Sequence, residues 1–131
     1  MRFEMIDRVT GREEGRLTAV RSVTSGEEYL ADHFPGFPVL PGVLMLEALV
    51  QAARRLVAET DNPPVLPLVI EQVRNVRYGQ MVRPGQTLKI DVTLRKQDET
   101  GYEFQGKGMV EGDVAVQGRF RLAPLAGDGP A

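Results

Sequence analysis

Between Val43 and Val50 the chain carries one polar side chain, Glu47. Around it, Val43, Leu44, Met45, Leu46, Ala48, Leu49, Val50, Ala52 and Ala53 run nearly all the way round a helical wheel. The segment begins just after Pro41-Gly42 and stops well before Asn62-Pro63-Pro64, which predicts a helix from about Val43 to about Glu59. A helix that is apolar on most sides must be covered on most sides. No other stretch of the 131 residues reads as a strong helix, so strands have to supply the cover.

The strands are in the sequence. Leu88, Ile90, Val92 and Leu94 alternate with Lys89, Asp91, Thr93 and Arg95, the period-2 pattern of a half-buried strand. Asp98-Glu99-Thr100-Gly101 then reads as a turn, Tyr102 to Val110 as a return strand, Glu111-Gly112-Asp113 as a tighter turn and Val114 to Leu122 as a third strand. Upstream, Leu66 to Tyr78 and Leu17 to Val23 have strand character, and Phe3 to Val9 is expected to form an edge strand. Gly106, Gly108 and Gly118 interrupt the strands, as glycine does at bulges, strong coiling or close backbone approach. The expectation is an α+β fold in which a curved antiparallel sheet wraps one long central helix. It forms a single domain over residues 1–123, and the tail 124–131, PLAGDGPA, is expected to be disordered.

Composition narrows the function classes. A formal net charge of -2 is not the footprint of a nucleic-acid binder. With no cysteine and one histidine, a thiolate metal site and a cysteine nucleophile are excluded, and no metal site is expected. The N-terminus is charged where a signal peptide needs an apolar run, and no stretch reaches membrane-spanning length, so no membrane partner and a cytoplasmic location are expected.

Chemistry is concentrated where the helix begins. Pro35-Gly36-Phe37-Pro38-Val39-Leu40-Pro41-Gly42 holds three prolines and two glycines in eight positions, which makes a stiff loop with a fixed path. It delivers the only histidine, His33, to the helix entrance. The first amides of the helix, from Gly42 and Val43, have no intrahelical acceptor and attract developing negative charge. Burial among apolar side chains favours the neutral form of a carboxyl, the form in which Glu47 could give up a proton. A neutral imidazole, a carboxylic acid and an amide oxyanion site are what removal of a proton beside a carbonyl requires. Two plainer readings stand beside this one. Glu47, Gln51 and Arg54 or Arg55 have the spacing of an ordinary solvated stripe, and a lone loop histidine is commonly exposed and idle.

The run HFPGFPVLPGVLMLEALVQ resembles the signature of the 3-hydroxyacyl-acyl carrier protein dehydratases of fatty acid synthesis. The resemblance rests on His33-Phe34-Pro35-Gly36, Pro38-Val39, Pro41-Gly42-Val43-Leu44, Glu47-Ala48 and Gln51, with 14 residues from His33 to Glu47. Weaker similarity covers Phe3 to Val9, Arg77-Tyr78 through Pro84-Gly85, and Val110-Glu111-Gly112 through Phe120. Gly79-Gln80-Met81 differ from the basic and proline residues common in the family at those positions. The resemblance implies a hot-dog fold and dehydration of a (3R)-3-hydroxyacyl thioester to the trans-2-enoyl species. By the same resemblance His33 is the base, Glu47 the acid and Gly42 the amide donor to the thioester carbonyl, and no cofactor takes part. It further implies a homodimer in which His33 and Glu47 meet across the interface, one from each chain, with dimers assembling into hexamers. Glutamate at position 47, where the isomerising branch carries aspartate, fits the plain dehydratase branch.

Three other functions compete. Two share the fold, thioester hydrolysis and hydration of an enoyl-coenzyme A, and the third is a non-catalytic subunit that binds acyl chains or acyl carrier protein. The carrier protein of this pathway is acidic, so Arg74, Arg77, Arg83 and Arg54 or Arg55 are candidates for its docking surface. Phe37, Tyr78, Met45 and Met81 are candidates for an acyl tunnel, although each also suits core packing.

Overall fold

The alternation that marks residues 88–94 as a strand is realised in the structure: Leu88, Ile90 and Val92 are buried, and Lys89 between them is exposed. The computed structural model describes residues 5–23, 42–60, 63–64 and 67–125. Among these, the strands are β1 (Arg8–Glu13), β2 (Arg16–Ser22), β3 (Leu68–Tyr78), β4 (Thr87–Asp98), β5 (Gly101–Val110) and β6 (Asp113–Pro124), with the helix α1 (Gly42–Ala58) between β2 and β3. The strands form one antiparallel sheet in the order β1-β2-β4-β5-β6-β3. The helix packs against β2, β3, β4, β5 and β6, which is the wrapped arrangement expected from the sequence.

Burial explains how the layers fit. From α1, Ala48, Leu49, Ala52, Ala53, Leu56 and Val57 enter the core and meet Leu17 and Ala19 of β2, the inward residues of β4, and Phe104 and Phe120. Those two rings face each other across the β5–β6 ladder, stacked with centroids 5.5 Å apart. Gly106 shows why β5 contains glycine. A Cβ there would lie 3.1 Å from Leu49 Cδ1 and 3.2 Å from Phe120 Cε1, so the missing side chain lets the helix settle onto the sheet.

Two turns set the sheet's connections. Glu111 and Gly112 both have positive φ, 50° and 84°, the geometry that matches a two-residue hairpin to strand twist. In Arg83-Pro84-Gly85-Gln86, the Gln86 amide donates to the Arg83 carbonyl at 3.0 Å and Gly85 takes φ 92°, which a side chain would resist. This turn is tied to the end of β2, because Val23 N–H donates to Gln86 O and Gly85 N–H donates to Val23 O.

Some boundaries differ from expectation. The first strand is not Phe3 to Val9: Met5 to Asp7 precede β1, which continues to Glu13, while Phe3 lies outside the described residues. Residues 8–13, Arg-Val-Thr-Gly-Arg-Glu, have little apolar alternation, and pairing with β2 decides their state. At the other end β6 continues through Pro124 opposite Leu68, and Leu125 donates to the Pro67 carbonyl. The ordered sheet thus extends past the expected start of the tail, and residues 126–131 lie outside the described residues.

Candidate active site

Gly42 is the first residue of α1, and the first turn carries no acidic side chain, so its amides have no carboxylate of their own turn to bond. The residue facing Gly42 is Tyr78, the last of β3: a Cβ on Gly42 would fall 2.9 Å from Tyr78 Cε1 and 3.0 Å from Cδ1. Glycine here leaves room for the tyrosine ring, and Gly42 does not adopt a positive φ. The chain leaving β3 is held against β6, with Gly79 N–H donating to Ala115 O at 2.9 Å and Gln80 N–H to Val114 O at 2.8 Å. Those bonds hold the backbone after Tyr78, whose half-exposed ring lies beside the start of the helix.

One turn further on stands Glu47, with its side chain 34% exposed. The three polar residues at helical spacing are paired side chains rather than a freely solvated stripe. Gln51 Oε1 accepts from the Met5 amide at 2.8 Å, and Arg54 Nη1 donates to Glu47 Oε1 at 3.4 Å. Arg54 Nε also donates to the Leu68 carbonyl at 2.9 Å. The second contact locates the whole group. Leu68 pairs with Pro124, and the flanking bond from Leu125 N–H to Pro67 O marks this as a pair that exchanges no hydrogen bonds of its own. The Leu68 carbonyl consequently points away from β6, to the side of β3 where the described sheet ends. Gly42, Glu47 and Arg54 thus lie along the open edge of β3.

That edge strand exposes apolar residues among polar ones, Glu71, Gln72, Arg74, Asn75 and Arg77. Val69, Ile70 and Val73 are 37%, 43% and 39% exposed, and Val43 on the helix is 68% exposed. The expectation that α1 is covered on most sides holds for Met45, Ala48, Leu49, Val50, Ala52, Ala53, Leu56 and Val57, all buried, while Val43 in the first turn is exposed.

The other candidates divide. His33 and Phe37 lie outside the described residues. Met45 is a core residue and Met81 is half exposed, which leaves Tyr78 as the tunnel candidate seen next to the helix start. Arg55 is exposed in the last turn of α1, whereas Arg54 is engaged with Glu47 and Leu68. Arg74 donates to Gln72 Oε1 at 3.2 Å and lies 4.0 Å from Glu103. Sequence reasoning had no means of finding the Leu68 carbonyl, because a backbone acceptor on an open edge leaves no mark on residue type. The signal for Arg54 was its spacing of seven from Glu47, two helical turns on the same face.

Comparison with known proteins bears on both fold and chemistry. The model of the FabA-like domain family matches residues 1–119. A protein of Magnetococcus marinus named 3-hydroxyacyl-[acyl-carrier-protein] dehydratase FabZ is 38% identical over 118 residues, covering 88% of this chain and 77% of its own. A Rickettsia massiliae protein of the same name is 36% identical over 123 residues, covering 90% and 83%. Among solved structures, the dehydratase heterocomplex ApeI:P from Xenorhabdus doucetiae superposes with a TM-score of 0.70 at 18% identity, over 90% of this chain and 96% of the other. Zebrafish thioesterase superfamily member 2 does so with a TM-score of 0.69 at 15% identity, over 89% and 80%. At those identities the structures establish the hot-dog fold and carry no statement about the reaction.

Proposed function

Since the chain belongs to the FabA-like family, whose relatives above are named as dehydratases, we propose that it removes water from a (3R)-3-hydroxyacyl thioester borne on acyl carrier protein. The product is the trans-2-enoyl thioester. His33 takes the proton from C2, the amides of Gly42 and Val43 receive the charge that develops on the thioester oxygen, and Glu47 gives a proton to the departing C3 hydroxyl. The thioester itself acidifies the C2 proton, so the scheme calls on no cofactor.

The observation that supports this reading is that Glu47 and the start of the helix lie along the edge of β3 where the described sheet ends. A second copy adding to that edge would cover Val43, Val69, Ile70 and Val73, and a two-fold pairing is what the family resemblance implies. The site is accordingly read as composite, with His33 of one protomer acting alongside Glu47 of its partner. A homodimer is the smallest assembly that completes it, and a hexamer would be a trimer of such dimers. A cytoplasmic location belongs to the same reading; among the described residues no helix is long and apolar enough to cross a membrane.

The test is turnover of a chain-length series of 3-hydroxyacyl carrier protein thioesters, with products separated as enoyl thioester or free acid. Enoyl product is expected, and His33→Ala and Glu47→Gln should each lower turnover by about 10² to 10⁴ while remaining folded. Free acid as the main product would make the protein a thioesterase. Tight binding without turnover would make it a binding subunit.

A further inference from the structure

The dehydration scheme uses Glu47 and leaves Arg54 unexplained, although Arg54 is the side chain that joins Glu47 to the sheet. We infer that Arg54 is a positioning residue for the Glu47 carboxyl, an inference that rests on the dehydratase reading. Arg54 sits two turns beyond Glu47, and helical side chains lean towards the helix N-terminus, which brings its guanidinium back over Glu47.

The two contacts differ in quality. Nε to the Leu68 carbonyl, at 2.9 Å, is an ordinary hydrogen bond to a backbone atom held by the β3–β6 pairing. Nη1 to Glu47 Oε1, at 3.4 Å, is long. The anchor is therefore the strand, and the glutamate is the group being steered. Because the guanidinium is planar, fixing Nε on Leu68 also fixes the direction in which Nη1 points. That direction engages Oε1 and leaves Oε2 for the substrate. Without it, a glutamate side chain a third exposed would be free to turn among rotamers that point away from the helix start.

The same geometry separates positioning from stability. Both side chains are more than a third exposed, at 40% and 34%, and pairs so placed contribute little to folding. Removing the guanidinium should leave the fold intact and disturb only where Glu47 points. A lysine carries its charge at a single nitrogen and cannot donate to Leu68 and Glu47 in two directions set by one plane, so charge alone should not restore the effect.

The experiment is a cycle of wild type, Arg54→Met, Glu47→Gln and the double variant. All four are assayed as full-length protein with one 3-hydroxyacyl carrier protein thioester, and far-ultraviolet circular dichroism and urea unfolding check folding. Arg54→Met is expected to lower kcat about tenfold, with KM held within about twofold. In the Glu47→Gln background the same change should alter kcat by less than about twofold, because the group that Arg54 positions is already lost. If Arg54→Met does not fold, Arg54→Lys is read through the same cycle with the same expectation. An equal loss in both backgrounds, wild-type kcat in Arg54→Met, or full rescue by Arg54→Lys would overturn the inference. Absence of enoyl product from the wild type would instead overturn the dehydratase reading, and this role with it.

Discussion

Replacing Gly42 by alanine separates the fold from the chemistry at the helix start. The added methyl would lie 2.9, 3.0 and 3.3 Å from Cε1, Cδ1 and Cζ of Tyr78, inside van der Waals contact, so the ring has to move. Overpacking of a closed core costs about 1–3 kcal/mol, but Tyr78 is 52% exposed and can swing outwards, which places the cost at the low end. Alanine is also a better helix former than glycine, by up to about 1 kcal/mol, and this offsets part of the strain. The net change in stability should fall within about 1 kcal/mol, or roughly 3–5 °C in Tm for a chain of this size. Turnover should fall much further, by about 10² or more, because the methyl stands beside the amide that meets the thioester oxygen. Thermal unfolding and steady-state dehydration of Gly42→Ala measure the two quantities. The double variant Gly42→Ala with Tyr78→Ala then removes the clash with the ring. If activity returns in the double variant, the methyl acted only by displacing Tyr78, and close approach of substrate to Gly42 is refuted.

Two further predictions concern stability. Gly106→Ala should destabilise the protein by about 1–3 kcal/mol in urea unfolding, because the new methyl meets Leu49 and Phe120, both in the core, at 3.1–3.2 Å; an unchanged midpoint would contradict the packing described. At the far end of the sheet, Asp98 accepts from Arg121 Nη2, the Thr100 amide and hydroxyl, and the Gly101 amide, and these bonds, led by that from Arg121, hold its carboxyl well below the usual range. A carboxyl whose pKa is lower folded than unfolded stabilises the fold above its unfolded value, near ~4, and loses that contribution as pH falls below it. The gap in urea midpoint between wild type and Asp98→Asn should therefore be constant near neutrality and shrink below about pH 4; a gap independent of pH down to pH 2 would refute the assignment.

Much of the fold was legible because burial and sequence period agree. The inward set of β4 follows from alternation alone, and α1 follows from an apolar run bounded by Pro41-Gly42 and Asn62-Pro63-Pro64. Strand β1 was misplaced because its residues carry almost no apolar signal and are strand only through pairing with β2. In β3 the sequence showed the strand but not its exposure. Its strand character was read correctly, but Val69, Ile70 and Val73 lie exposed on a strand paired on one side among the described residues, which strand character alone does not reveal. At the site, Glu47 and the helix start were marked by residue type and spacing, whereas the crowding at position 42 comes from Tyr78, 36 residues away in sequence and invisible to any local pattern.

The central claim, that two protomers complete each site, is tested most directly by mixing two inactive variants. His33→Ala and Glu47→Gln chains are combined in equal amounts, dissociated and allowed to reassociate, and dehydration is measured with subunit exchange confirmed independently. If His33 of one protomer acts with Glu47 of its partner, about half of the dimers are mixed and each mixed dimer has one intact site, so about a quarter of wild-type activity should return. If both residues act within one chain, every chain in the mixture is defective, and no recovery at any mixing ratio would contradict the composite site.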